Sequence, residues 1–180
     1  PGYEIFRRDG AGGRGRWDYL MDGGGPMGLK PGHTSSIRRI EAAMLSYHAD
    51  MTLKNNPFEL GMDRLVDLDI EVDFVSKAAL TRIRDEGVSK LQVGLVFDGA
   101  PISGSNDEYW PVLVDGQKVG QVTSAVYSPR LEQNIALALV AVAHAGIGTK
   151  AMIDMSGEPR GCEIVQKPFF DPKKAIAAKG

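Results

Sequence analysis

The sequence is nearly free of cysteine: among 180 residues there is one, Cys162. A single cysteine cannot form a disulfide within the chain, which excludes a disulfide-stapled scaffold. The three histidines show no metal-ligand spacing, so we expect no metal site. Apolar runs are also too short to approach the roughly 20 residues that span a bilayer. We therefore expect a protein of the reducing cytoplasm that has no membrane partner.

The sequence also lacks an excess of charge of either sign, since 21 basic residues stand against 23 acidic ones. This balance gives no overall attraction to nucleic acid or to an anionic membrane. Apolar residues make up 43% of the chain and charged residues 24%, which is typical of a folded protein and not of a disordered one. Nucleic acid is therefore not expected as a partner.

Helical and extended patterns alternate in the first half of the sequence. Apolar residues from Ile37 to Tyr47 recur at helical spacing after the candidate N-caps Thr34, Ser35 and Ser36. The glycines at 23–25 and the following Pro26 are expected to end an earlier helix. The predicted elements are a strand at 2–6, a helix at 17–22, and a helix that begins at one of the caps at 34–36 and continues through 47. They are followed by a strand at 58–68 and a helix at 73–86 that Asp73 caps and Gly87 ends.

Short β-rich runs separated by turn residues make up the second half. Such spacing predicts a small antiparallel barrel or sandwich. The clearest turn is Asp115-Gly116, because a type I′ hairpin needs positive φ at both central residues. The predicted strands are 91–97, 110–114, 119–127, 135–142, 150–155 and 161–169. The change in pattern predicts two domains, 1–87 and 88–180.

The loop at 10–15 matches the spacing G-x-G-x-x-G of dinucleotide sites. Such a site needs a full-length helix after the loop, and only two turns are expected here, so we favour a surface loop. Four arginines in and beside this loop resemble a short RNA-binding tract, although a solvated loop is the commoner case. The remaining reactive side chains have ordinary interpretations: Cys162 as a buried, inert thiol in a strand and His144 as a surface residue.

Glu4 lies in the middle of the first predicted strand, between Tyr3 and Ile5. Such a carboxylate commonly marks the solvent face of a half-buried strand. It is also suited to bind a planar ligand that presents two parallel donors, such as the amino group and ring N–H of a pterin or guanine. Periodicity alone leaves both interpretations open.

Ten short motifs, in order, resemble the second half of the tetrahydrofolate-dependent aminomethyltransferase family, which includes the T-protein of the glycine cleavage system. The resemblance spans nearly the whole chain. The motifs are Gly2-Tyr3-Glu4-Ile5, Trp17-Asp18-Tyr19-Leu20, Gly28-Leu29-Lys30-Pro31, Arg39-Ile40-Glu41-Ala42, Asn56-Pro57-Phe58-Glu59, Phe74-Val75-Ser76-Lys77, Gly120-Gln121-Val122-Thr123, Tyr127-Ser128-Pro129, Asn134-Ile135-Ala136-Leu137 and Lys167-Pro168-Phe169.

The resemblance implies an α+β fold: the tail of a mixed α/β folate-binding domain, followed by a small antiparallel Greek-key or jelly-roll β-barrel. It implies tetrahydrofolate as cofactor and a small methyl or aminomethyl donor as substrate. Glu4 matches the family residue that binds the pterin edge, and Tyr3 and Tyr47 match positions near the ligand channel. For both tyrosines, packing is an equally good interpretation.

The stretch from Pro31 through Tyr47 looks closer to the demethylase branch of the family, and two departures from the glycine-cleavage pattern put aminomethyl transfer in doubt. Ser35 stands where an arginine contributes to the folate site, and the stretch Tyr47-His48-Ala49-Asp50 replaces Tyr-Gly-Asn-Asp. We therefore expect a demethylase that passes a one-carbon group to tetrahydrofolate. The alternatives are a glycine cleavage aminomethyltransferase and a non-catalytic folate- or RNA-binding module.

The family's N-terminal part, with its catalytic aspartate, has no counterpart in these residues. We therefore name no catalytic residue, and we expect the chain to need that part of the same protein and to be inactive alone.

Overall fold

The computed structural model describes residues 5–6, 10–32, 35–173 and 175–176. The chain divides into two compact units, 1–35 and 36–180. The division predicted near residue 87 stays a prediction.

The first unit contains one α-helix, α1 (Gly13–Gly24), followed by a short 3₁₀ turn, Gly25–Met27. The helix is twelve residues long, so the prediction of 17–22 was too short. Gly24 is the last residue of the helix, and its missing side chain makes room for Leu29, whose Cδ2 lies 2.5 Å from where a Cβ would stand. The strand predicted at 2–6 falls largely outside the described residues; Ile5 and Phe6 are exposed and in no strand.

The second unit begins with α2 (Ser36–Glu41) and later contains α3 (Lys77–Glu86). α2 ends at Glu41, so the predicted helical stripe through Tyr47 was wrong beyond that point. α3 begins four residues later than predicted, because the Asp73 carboxylate accepts the Phe74 N–H (3.0 Å) instead of capping a helix. Its predicted end is confirmed: Gly87 has φ +81° and donates its N–H to Ile83.

The strand predicted at 58–68 is wrong, since this segment consists of turns and a 3₁₀ turn, Asp63–Leu65. Side chains hold the turns in place of a β-ladder. The Glu59 N–H donates to Asn56 Oδ1 (3.0 Å), and the Glu59 carboxylate accepts Asn55 Nδ2 (3.2 Å). Asparagines that bond to nearby backbone favour turns over strands.

Six antiparallel strands form a closed barrel in the order β1-β4-β3-β2-β5-β6. Because β1 lies beside β4 and the hairpin-connected β2, β3 and β4 follow one another, the arrangement is a Greek key. The expected α+β fold with a small antiparallel barrel is therefore confirmed. The strands are β1 (Lys90–Phe97), β2 (Trp110–Val114), β3 (Gln117–Ser128), β4 (Gln133–Ala141), β5 (Lys150–Met155) and β6 (Glu158–Val165).

Most strand ends agree with the sequence pattern, and the exception is β6, which stops at Val165 instead of 169. Asp115 and Gly116 both have positive φ, as the predicted turn requires. Alternate residues of β1, such as Val93, Leu95 and Phe97, point into the barrel and form its core with apolar residues of the other strands.

A second apolar cluster lies on the outer face of β1, β4 and β3. There Ile40 of α2 packs on Val126, Ile135 and Leu137, and Phe169 packs beside them. The Phe169 ring approaches β1 only because Gly94 has no side chain: a Cβ there would lie 3.0 Å from the ring. This cluster fixes α2 on the barrel, and with it the start of the loop that follows α2.

Glu41, at the end of α2, adds a polar anchor to this packing. Its buried carboxylate accepts the Ser128 hydroxyl (2.6 Å), and its carbonyl accepts the Phe170 N–H (3.1 Å). Arg130 lies 3.6 Å from the same carboxylate and over the Phe170 ring. One residue therefore ties the helix to the barrel and to the C-terminal segment.

We predict that Gly120→Ala will destabilise the barrel. A Cβ at Gly120 would lie 2.3 Å from the Leu139 carbonyl oxygen, so the backbone of β4 must move. The expected loss of unfolding free energy is about 1–3 kcal/mol, as for other overpacked cores. Urea denaturation measures it. The matched control is Gly146→Ala, whose nearest neighbour would be 3.6 Å away and which should be nearly neutral; equal stability of both variants would contradict the prediction.

Candidate functional site

The candidate site is the short loop that follows α2, residues 46–51, which we call the aromatic loop. Tyr47 pairs with Met51 in an isolated bridge, and the His48 N–H donates to the Met51 carbonyl (2.8 Å). The Tyr47 and His48 rings lie with their centroids 4.2 Å apart. Tyr47 is 49% exposed, so the loop presents an aromatic surface to solvent.

Asp50 anchors the aromatic loop to the rest of the second unit and is only 1% exposed. Its carboxylate accepts Nη1 of Arg39 (2.7 Å), the N–H of Ser46 (2.9 Å) and the hydroxyl of Thr123 (2.6 Å). These donors come from α2, from the loop itself and from β3. Because a buried carboxylate is costly unless it is paired, Asp50 holds the three segments together.

A β-bulge in β3 lies opposite this anchor. The register against β4 shifts between Val122 and Ser124, and Thr123 lies within the shift. Thr123 bonds to Asp50, while the next residue, Ser124, is 2.8 Å from Nη2 of Arg39. Bulges commonly redirect side chains beside functional sites.

Tyr109, just before β2, holds the aromatic loop from another side. Its hydroxyl lies 2.8 Å from the carbonyl oxygen of His48 and 3.0 Å from that of Ala49. Nearby, Asn106 Oδ1 accepts the N–H of Ala125 in β3 (2.6 Å), which ties this segment to the barrel. The aromatic loop is thus fixed by side chains from several directions.

Only Tyr47 among the three candidate binding residues is described by the structure. The expectation that Tyr47 packs on a helical stripe was wrong, because α2 ends before it and its ring is half exposed. Tyr3 and Glu4 lie outside the described residues, so their roles stay predictions. In the sequence, Asp50 was noted only as the last residue of a family motif. Its contact with Thr123, which is 73 residues away, cannot be predicted from the local spacing of residues.

The other candidate features of the sequence have ordinary surroundings. Gly13 and Gly15 of the glycine loop lie in the first turns of α1 and are exposed. No three His, Cys, Asp or Glu side chains lie together as a metal site in the described part of the chain. Within the same residues, no helix is long and apolar enough to cross a membrane.

Cys162 lies in β6 and is buried, as predicted. Burial raises the pKa of its thiol to about 11, and the nearby Asp98 charge adds to the rise while a hydrogen bond with the Ala151 backbone opposes it. A thiol with so high a pKa carries almost no thiolate near neutral pH, so Cys162 is suited to packing and not to nucleophilic chemistry.

Two family models match the sequence along most of its length. Residues 90–171 match the glycine cleavage T-protein C-terminal barrel domain, and residues 1–70 match the GCVT N-terminal domain. The chain belongs to the glycine cleavage T-protein family.

Relatives within the glycine cleavage T-protein family carry the name aminomethyltransferase. One from Synechococcus sp. (strain CC9902) is 39% identical over 155 residues, which are 86% of this chain and 41% of the relative. One from Streptomyces avermitilis is 34% identical over 179 residues, which are 96% of this chain and 47% of the relative. The chain thus spans less than half the length of these relatives.

A solved structure shares the fold. The glycine cleavage system aminomethyltransferase T from Bartonella henselae superposes with a TM-score of 0.69 at 21% sequence identity, covering 76% of this chain and 38% of that one. At this identity the likeness supports the fold alone.

The expected demethylase activity is not supported by these comparisons. A further relative, from Symbiobacterium thermophilum, is 36% identical and is again named aminomethyltransferase. The alternative of a glycine cleavage aminomethyltransferase fits the comparisons better than the demethylase.

We predict that Asp50→Ala will destabilise the second unit by about 3 kcal/mol, because it leaves the Arg39 guanidinium without its buried partner. Thermal or urea unfolding measures the change. The control is Asp69→Ala, whose side chain is 94% exposed and lies 3.6 Å from Arg84. An exposed pair of this kind contributes little, so the control should lose less than about 1 kcal/mol. Equal losses would show that Asp50 is not an anchor.

We also predict that native Cys162 resists alkylation. With a pKa of about 11 in place of 9.0, the thiolate fraction at pH 8 falls roughly 100-fold, and the rate with iodoacetamide falls at least as far. Mass spectrometry of the native and urea-unfolded chain measures both rates. Comparable rates in the two states would refute the assignment of an inert thiol.

Proposed function

We propose that the chain is part of an aminomethyltransferase that passes an aminomethyl group from a carrier to tetrahydrofolate. The observation that supports this most is the match of residues 1–70 and 90–171 to two domains of one family, with relatives at 34–39% identity. The proposed partners are folate and an aminomethyl carrier protein. Dependence on further residues of the same protein remains a prediction.

The aromatic loop is suited to hold one part of the cofactor. Tetrahydrofolate is built from planar rings, and the half-exposed Tyr47 ring, with the His48 ring tilted beside it, offers an aromatic face on which such a ring packs favourably. In the proposal Glu4 accepts the paired N–H groups of the pterin, with Tyr3 next to it. When bound, tetrahydrofolate supplies the ring nitrogen that accepts the one-carbon unit.

The barrel contributes rigidity to this proposed site. Group transfer depends on holding the two reactants in a fixed orientation, and small displacements lower the rate strongly. Asp50 and Tyr109 fix the aromatic loop against the barrel, so Tyr47 is displayed from an ordered backbone and not from a mobile one. We assign the barrel a positioning role and name no general acid or base.

The product of one-carbon transfer distinguishes aminomethyl transfer from demethylation. The protein at its natural length is incubated with tetrahydrofolate and either an aminomethylated carrier protein or a methyl sulfonium donor. Aminomethyl transfer yields ammonia and methylenetetrahydrofolate, whereas demethylation yields methyltetrahydrofolate. Ammonia release that requires both carrier and folate supports the proposal; methyltetrahydrofolate formation from the methyl donor alone rejects it.

We predict that Tyr47→Ala weakens tetrahydrofolate binding about fivefold, since packing against an aromatic ring contributes about 1 kcal/mol. Tyr47→Phe keeps the ring and should bind as the parent does. Glu4→Gln should lose more, about 1.5–3 kcal/mol, because the charge-assisted bonds are lost. Calorimetry on the natural-length protein measures the three affinities.

The control for these variants is Ile147→Ala, an exposed apolar truncation in the turn before β5. It should leave folate affinity unchanged. If Tyr47→Ala binds like this control while the parent binds tightly, the aromatic loop is not part of the folate site.

A further inference from the structure

The chain after β6 passes beside the start of β1 and forms a second polar region. β6 leaves the sheet after Val165, and the turn at 57–62 takes its place next to β1, where the Gln92 N–H donates to the Glu59 carbonyl (2.7 Å). Lys167 lies two residues after the end of β6, and its ammonium group donates a hydrogen bond to the side chain of Gln92. Lys167 and the Gln92 side chain therefore meet at the edge of the barrel.

Lys167 is a half-buried cation with no ion pair among the residues that the structure describes. Its Nζ donates to Oε1 of Gln92, and no carboxylate of the described residues lies within ion-pair distance of it. The nearby Asp50 acts on it electrostatically, but that carboxylate is already bonded to three donors. The Glu59 carboxylate accepts the Asn55 side-chain amide and the Asn56 N–H, both through Oε2.

Gln92 supplies an unused donor at the same place. The residue is only 4% exposed, and its Nε2 has no hydrogen-bond partner in the described part of the chain. The orientation of the amide is fixed, because an ammonium group has only donors and Oε1 must therefore face Lys167. A buried N–H without an acceptor is rare and calls for a partner.

Gly61 lies beside the ammonium group of Lys167. It has φ +68° and is exposed, and a Cβ there would lie 3.8 Å from Lys167 Nζ, which is ordinary van der Waals contact. A larger residue at this position would be strained by the positive φ.

We propose that Lys167 and Gln92 form a binding site for an oxyanion, the carboxylate or phosphate group of a small ligand. The site offers a positive charge and an N–H donor, Nε2 of Gln92, that has no partner among the described residues. An oxyanion supplies both an acceptor for Nε2 and a charge for the ammonium group, whereas a water molecule supplies only the first. This proposal is independent of the proposed aminomethyl transfer.

The ionisation of Lys167 agrees with such a site. Burial lowers the pKa of its ammonium group from 10.5 to about 8, and Asp50 opposes the shift. A bound anion would stabilise the ammonium form and raise this pKa. Since only the ammonium form attracts an anion, affinity for an anion of constant charge such as acetate should be nearly constant at neutral pH up to about pH 8, and should fall about tenfold for each pH unit above it.

Isothermal titration calorimetry of the 180-residue chain tests the proposal with inorganic phosphate and, separately, with acetate, at pH 7 and constant ionic strength. We expect saturable binding of at least one probe. Lys167→Met and Gln92→Leu should each weaken it tenfold or more, while Lys167→Arg keeps the charge and should retain it. Lys118→Met, which removes an exposed lysine of β3, is the matched control and should bind as the parent does.

The two probes separate the possible ligands: binding of phosphate alone indicates a phosphate group, and binding of acetate alone indicates a carboxylate. Urea midpoints check that the variants are folded, and the pH profile of the parent provides a measurement without any substitution. The proposal is overturned if neither probe binds, if Lys167→Met and Gln92→Leu bind as the control does, or if affinity is unchanged between pH 7 and pH 10.

Discussion

The candidate site depends on one buried carboxylate, that of Asp50. A buried carboxylate is stable only where several hydrogen-bond donors surround it, and here the donors come from α2, the aromatic loop and β3. Displacing any of the three segments would leave a donor or the carboxylate unpaired. The loop therefore has one favourable position on the barrel, and the exposure of Tyr47 follows from that position and not from flexibility.

The strands of the barrel could be predicted from the sequence because each strand has a local pattern of alternating apolar residues. Alternation such as that of Val93, Leu95 and Phe97 has a period of two, and positive-φ turns such as Asp115-Gly116 separate the runs. Helical spacing was less reliable: the apolar pattern continues to Tyr47, but the helix ends at Glu41. Beyond Glu41 the apolar pattern includes Tyr47, which is exposed. Helical spacing alone therefore does not show where a helix ends.

The site itself was only partly accessible to sequence reasoning. The family resemblance marked Tyr47, whereas the contacts that hold it join residues far apart in the chain, such as Thr123 to Asp50. That contact also lies at a bulge, which one sequence does not reveal because the pairing partner is unknown. The predicted strand at 58–68 failed for a related reason: its loose alternation was outweighed by side-chain bonds such as that from Glu59 to Asn56.

Two polar clusters on the same barrel differ in one respect that bears on function. Around Asp50, donors from Arg39, Ser46 and Thr123 all bond to the buried carboxylate, as a structural anchor requires. Beside Lys167, Nε2 of Gln92 has no acceptor among the residues that the structure describes. Burying such a group has a cost that the fold does not recover by itself. A cluster that is complete only with an added acceptor is better explained by ligand binding than by stability.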